Sequence, residues 1–164
     1  MTQVAVLRDP TIAAGIEQFA AIQASGVIGI DLSAMDIRDG AIIERGVATF
    51  ARGSNRALIV TASPFGANHP DFIVTLATRY KLPAIFPFRY FVTAGGLLSY
   101  GPDTLNPFGP AANYINRILN GETPADVPVQ APTKYELLIN IRTAKSLGIE
   151  IPASLLTCAD ELIE

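Results

Sequence analysis

The chain has 164 residues, of which 49% are hydrophobic and only 16% charged, a length and composition that suit one domain with a real core. A formal net charge of −3, with lysines and arginines scattered rather than striped, argues against a polyanionic partner such as nucleic acid, and no uninterrupted apolar run is long enough to span a bilayer. The single cysteine, Cys158, excludes an internal disulfide and a cysteine-rich metal site.

Gln3 to Leu7 predicts a strand, Arg8-Asp9-Pro10-Thr11 a polar turn, and Ile12, Ile16, Phe19, Ala20 and Ile22 then recur at helical spacing. Asp9 or Thr11 is placed to cap this helix and Gly26 to end it. Val27 to Leu32 reads as a second strand. Ile42, Ile43, Val47 and Phe50 mark one side of a helix within residues 37–51, closed by Gly53-Ser54-Asn55. Ala57 to Thr61 is nearly continuous in apolar residues, the pattern of a parallel strand buried on both faces. A loop over Ser63 to Asn68 leads to a helix from Pro70 to Tyr80, and Leu82 to Phe86 is a fourth strand. Gly95 to Gly101 reads as a short strand bracketed by glycines, Pro107 to Asn120 as a helix, and Glu122 to Thr133, with prolines at 124, 128 and 132, as an extended connector. Tyr135 to Asn140 then reads as a strand and Ser154 to Ile163 as a terminal helix.

This alternation predicts a three-layer α/β/α fold, an open parallel sheet with helices on both sides. The chain is expected to be a single α/β domain: a βα core over 1–101, a crossover helix and connector over 102–133, and a returning strand with the terminal helix over 134–164. Ligands of such sheets bind outside the carboxyl ends of the strands, which gathers Arg8 to Thr11, Ala62 to Asn68 and Pro87 to Tyr90 on one rim. There Arg8, Asp9, Ser63, Arg89 and Tyr100 offer polar groups to a small solute, and Phe65, Phe88 and Tyr90 an apolar wall. Arg89 is the sharpest candidate because a guanidinium grips a carboxylate with two parallel hydrogen bonds, while pairing with a local surface acid is its competing role. Asp9 has helix capping as its alternative. His69, the only histidine, reads as a solvated or capping residue, Cys158 as a packed one, and neither a nucleophile elbow nor a metal-spaced cluster is present. No catalytic residue, metal or cofactor is expected.

The line Leu82-Pro83-Ala84-Ile85-Phe86-Pro87-Phe88-Arg89-Tyr90-Phe91-Val92 followed by Gly95-Gly96-Leu97-Leu98-Ser99-Tyr100-Gly101 resembles the ABC-transporter substrate-binding proteins that include tryptophan- and phenylalanine-binding members. Ile118-Leu119-Asn120-Gly121, Pro132-Thr133-Lys134-Tyr135-Glu136-Leu137, Ala144-Lys145-Ser146-Leu147-Gly148 and Pro152-Ala153-Ser154-Leu155-Leu156 continue it. The turn Arg8-Asp9-Pro10 departs from the family, in which many members carry Asn-Pro with further asparagines.

The resemblance implies the C-terminal lobe of a type-1 periplasmic-binding-protein fold, binding an amino acid or aromatic carboxylate for an ABC permease, in the periplasm. Family members are about twice as long, so a separately encoded first lobe is an expected partner. Taken as complete and without a secretion signal, the same chain reads as cytoplasmic, and a regulatory or interaction module derived from the lobe, acting as an oligomer, stays open beside transport. In this architecture the helix within 107–120 crosses to the first lobe. Its stripe of Ala111, Tyr114, Ile115, Ile118 and Leu119 then has no cover in this chain, and a homodimer through that helix, with exchange between protomers, is expected.

Overall fold

Continuous apolar runs become the central strands, because a residue pair facing opposite sides of a sheet can both be apolar only where both faces are covered. The computed structural model describes residues 2–26 and 29–164; Val27 and Ile28, which open the expected second strand, lie outside the described residues. The elements run β1 (Thr2–Arg8), α1 (Ala13–Ala24), β2 (Ile30–Asp36), α2 (Gly40–Phe50), β3 (Arg56–Val60), α3 (Pro64–Asn68), α4 (Pro70–Arg79), β4 (Ala84–Phe86), α5 (Arg89–Thr93), β5 (Leu98–Pro102), α6 (Phe108–Leu119), β6 (Tyr135–Asn140), α7 (Ile141–Leu147), α8 (Ala153–Cys158) and β7 (Glu161–Ile163). They form one seven-stranded sheet of order β2-β1-β3-β4-β5-β6-β7. The strands from β2 to β5 are parallel, β6 runs antiparallel to β5, and β7 is parallel to β6.

Alternation along the strands sorts the core into two faces. Ala5, Leu7, Leu58, Val60, Ala84 and Phe86 meet α2, α4 and α5 through Ile43, Val47, Ile73, Leu76 and Phe91, forming the main buried cluster. Val4, Ile59, Ile85 and Leu98 point to the other face, where α1 lies at one flank and α8 at the other. Between those helices β3 and β4 are only partly covered, so Ala57, Ile59 and Ile85 remain half-buried. The helical layer on this second face is thus incomplete at its centre.

Several elements differ from the sequence expectation for local reasons. Neither Asp9 nor Thr11 caps α1: the Asp9 carboxylate accepts from the Thr11 amide at 2.9 Å and hydroxyl at 2.5 Å, an Asx-type turn ahead of the helix. Gly15 instead lets α1 pass against that turn, since a Cβ there would lie 2.1 Å from the Asp9 carbonyl oxygen. The second strand extends to Asp36, beyond the expected Leu32, because an edge strand tolerates polar residues such as Asp31, Ser33 and Asp36 along its length. Two stretches expected as loops hold one-turn helices, α3 and α5; α3 is started by Ser63, whose hydroxyl accepts from the Gly66 amide at 3.0 Å.

The terminal helix expected over Ser154 to Ile163 stops at Cys158, and Glu161–Ile163 pairs with β6 instead. Asp160 makes the break: its amide donates to the Leu137 carbonyl at 2.9 Å, and its carboxylate accepts from the Leu137 amide at 2.8 Å. Sheet pairing satisfies backbone groups along the β6 edge that a longer helix would leave bare. Cys158, expected to be packed, is exposed as a result.

Candidate functional site

Because β1, β3, β4 and β5 are parallel and in register, their carboxyl ends fall on one edge: Arg8 and Asp9 after β1, Thr61 and Ser63 after β3, Pro87 to Arg89 after β4, and Tyr100 within β5. The antiparallel β6 brings Glu136 to the same edge, opposite Gly101. Among the described residues, Asp9 at 6%, Thr61 at 4%, Ser63 at 9% and Glu136 at 9% exposure are polar side chains buried on this rim, each with internal partners. Asp9 holds Thr11 and Ser63 caps α3, while the Thr61 hydroxyl donates to the Leu7 carbonyl at 2.9 Å.

The two arginines expected to meet solute are differently engaged. The Arg89 guanidinium donates through one nitrogen to Glu136 at 3.1 Å and through the other to Glu161 at 2.8 Å, so its fork is shared between two acids of the returning strands. Arg8 forms no ion pair among the described residues. Its guanidinium lies over the Phe19 ring, 4.8 Å from the centroid, and its Nε is buried without a hydrogen-bond partner. Asp36, its neighbour across the β1–β2 pair, is taken by Arg38, whose hydrogen bonds hold the Asp36 carboxyl below the usual carboxylate range.

The aromatic candidates divide between the two faces. Phe88 and Tyr90 stack at 5.5 Å, Phe65 packs edge-on against Phe72 at 6.3 Å and beside His69 at 4.6 Å, and all three lean on the main core. Burial pushes the Tyr90 phenol above its ordinary pKa. Tyr100 is exposed, stacks on Tyr135 at 5.8 Å, and closes a concavity of about 310 Å³ on the α1 side with Gln18, Thr61 and Pro87. Gln18 and Thr61 were not among the expected site residues. Thr61 carried a readable signal as the polar residue ending an apolar run, whereas Gln18 reaches the rim only because α1 packs there, its side-chain oxygen accepting from the Ala62 amide at 3.2 Å. Among the described residues no group of three or more His, Cys, Asp or Glu side chains is placed to hold a metal.

Residues 103–134 leave this rim as an arm. Lys134 and Asp103 clasp its root with an ion pair at 2.8 Å and a backbone hydrogen bond at 3.0 Å, and the ion pair holds Asp103 below and Lys134 above their ordinary pKa values. A depressed carboxylate stabilises above its unfolded pKa and loses that contribution as pH falls through the folded value. A raised amine does the converse at high pH. The clasp is therefore intact from about pH 4 to about pH 10. Asp103→Asn is expected to speed proteolytic nicking within the arm at neutral pH, with the global Tm moving by no more than about 2 °C because Lys134 is exposed.

Solved structures share this fold. A conserved domain protein from Vibrio cholerae superposes with a TM-score of 0.86 at 23% identity, over 98% of this chain and 54% of that one. An ABC domain from Streptococcus pneumonia in complex with L-Trp gives 0.85 at 23% identity, over 99% and 56%. A ligand-free, open substrate-binding protein with adhesive properties from Clostridium difficile gives 0.70 at 20%, over 99% and 54%. At these identities the likeness is one of fold, and the chain spans about half the length of those proteins. Among curated proteins none matches the chain. Residues 2–163 match the family described as ABC transporter substrate binding protein, and the chain belongs to that family of binding proteins rather than enzymes.

Proposed function

We propose that this chain is one wall of a solute cleft, the second lobe of the substrate-binding component of an ABC transport system, and that its solute is a small carboxylate with an aromatic or amino-acid body. The observation that carries this is the carboxyl rim itself, where the neighbouring parallel ends of β1 and β3 line up Arg8, Asp9, Thr61 and Ser63 beside the Tyr100 concavity. Arg8 is the carboxylate anchor: its guanidinium forms no ion pair among the described residues, whereas Arg89 is occupied by Glu136 and Glu161. Phe65, Phe88 and Tyr90 form the wall that limits water, with Asp9 and Ser63 setting the shape of the turns. The L-Trp complex of the Streptococcus relative supports aromatic amino acids as the first class to try. A first lobe forms the opposite wall, an ABC permease is the downstream partner, and the setting is extracytoplasmic. The seven strands of one sheet support a single domain over 1–164.

Thermal unfolding with aromatic amino acids and small carboxylates tests the reading. A true solute at a hundredfold excess over its Kd raises the Tm by about 5–10 °C. Arg8→Met is expected to remove that rise while leaving the unliganded Tm within about 3 °C. Arg89→Ala is expected to do the reverse, lowering stability by about 1–2 kcal/mol, because Glu136 is left buried without its cation while Arg89 itself is part-exposed. If Arg89→Ala abolishes the solute effect and Arg8→Met does not, the assignment of the anchor is wrong.

A further inference from the structure

Two acids flank Arg8, and each is engaged by the residue two positions further along the chain. Asp9 spends one carboxylate oxygen on the Thr11 amide at 2.9 Å and hydroxyl at 2.5 Å. Asp36 stands directly across the β1–β2 pair from Arg8, one strand spacing of about 4.8 Å away. Leu7 and Met35 both pack into the main core, so by strand alternation Arg8 and Asp36 both point to the α1 face, where the Arg8 guanidinium lies over Phe19. Arg8 also keeps a buried Nε with no hydrogen-bond partner among the described residues. Opposite charges on lateral neighbours of one face should meet, yet these two do not.

The reason is Arg38. Its Nε lies 3.0 Å from both carboxylate oxygens of Asp36, its terminal nitrogen 2.5 Å from one of them, and its own amide donates to the other at 2.9 Å. Ile37 fixes the turn that brings them together: its side chain is fully buried, and its amide donates to the Arg8 carbonyl at 3.1 Å. Of the causes that hold the Asp36 carboxyl below its usual range, the Arg38 hydrogen bond is the largest and the charge of Arg8 the smallest. Asp36 is thus within the field of Arg8 and bonded elsewhere.

We propose that Arg38 is a positioning residue of the solute site, holding Asp36 so that the Arg8 guanidinium stays open to a solute carboxylate. Without Arg38, Asp36 is an internal carboxylate that competes with the solute for the same fork. The preference of the rim for an anionic group is then set by a side chain that touches no solute. This role rests on Arg8 being the carboxylate anchor; the release of Asp36 toward Arg8 does not.

Phenylglyoxal, which adds to guanidinium groups not engaged by a carboxylate, reads Arg8 without any solute. Labelling of the full chain at about pH 8, where the carboxylates are ionised, is followed by peptide mass spectrometry. Arg8 is expected to react about fivefold more slowly in Arg38→Ala than in wild type, the strength of a good surface pair, and at the wild-type rate in Asp36→Asn/Arg38→Ala. With L-tryptophan as the solute probe, the Kd is expected to rise about fivefold in Arg38→Ala and to return to within about twofold of wild type in the double variant. Arg38 is half exposed, so the Tm of both variants should stay within about 3 °C of wild type. Arg8 labelling that Arg38→Ala leaves unchanged overturns the proposal and spares the Arg8 anchor. A double variant that binds no better than Arg38→Ala also overturns it, making Arg38 itself a solute contact. If the labelling follows the expected pattern but no aromatic amino acid or small carboxylate raises the wild-type Tm, the solute wall falls and the positioning role with it, while Arg38 keeps its hold on Asp36.

Discussion

Replacing Phe91 with alanine is expected to lower the unfolding free energy by about 3–5 kcal/mol. Phe91 is 1% exposed, stacks on Phe86 at 4.9 Å with the rings 16° from parallel, and meets Tyr90 at 4.7 Å. Its ring joins α5 to β4 below the rim, so truncation removes the transfer free energy of a large side chain and leaves a cavity that the one-turn helix above cannot fill. Against a total stability of about 5–15 kcal/mol this is a large fraction. Urea unfolding should show a lower midpoint with an unchanged slope, and Phe91→Leu should recover most of the loss, to within about 1.5 kcal/mol of wild type. A drop below about 1 kcal/mol for the alanine variant would mean that the ring is not a keystone of the main core.

Gly101→Ala is expected to cost about 3 kcal/mol, at the upper end for an overpacked site. A Cβ at this position would lie 1.9 Å from the Pro87 carbonyl oxygen and 2.9 Å from its carbon, both backbone atoms that no rotamer change can move aside. The glycine is required by this close approach, since it is not among the residues with positive φ. Relief of the clash must separate β5 from the turn after β4, which also shifts Tyr100 beside it and Glu136 opposite it. The variant should lose tyrosine near-ultraviolet circular dichroism as well as stability. Gly109→Ala is the control: nothing lies within 4 Å of its Cβ, and the gain in helix propensity should leave the protein as stable or slightly more so. Equal stability of the two variants would contradict the tight packing of β5 on the Pro87 turn.

The strands that became the sheet centre were legible because burial on both faces writes itself as continuous apolar sequence: Val4 to Leu7 and Ala57 to Val60 needed no long-range information. Edge elements were less so. β2 continues through Ser33 and Asp36 because half of an edge strand faces water, and β7 exists only because β6 offers a free edge and Asp160 locks onto Leu137. Residues 154–163 alternate too weakly between helix and strand patterns for sequence to choose.

The site divides in the same way. That Asp9, Ser63 and Arg89 share one rim follows from parallel βα order alone, and the residues themselves stated it. Which arginine is free to bind an anion did not, because it depends on Glu136 and Glu161, 47 and 72 residues away from Arg89, and on Arg38 taking Asp36 from Arg8.

By itself, then, the sequence determined the layer order, the rim and the apolar stripe along α6, all of which rest on local periodicity and on the fixed hand of parallel crossovers. The tertiary structure alone decided the pairing of charges on the rim and the helix-wide gap beside α1. Both are contacts, or missing contacts, between segments distant in the chain, and no local pattern encodes what is absent from across a sheet.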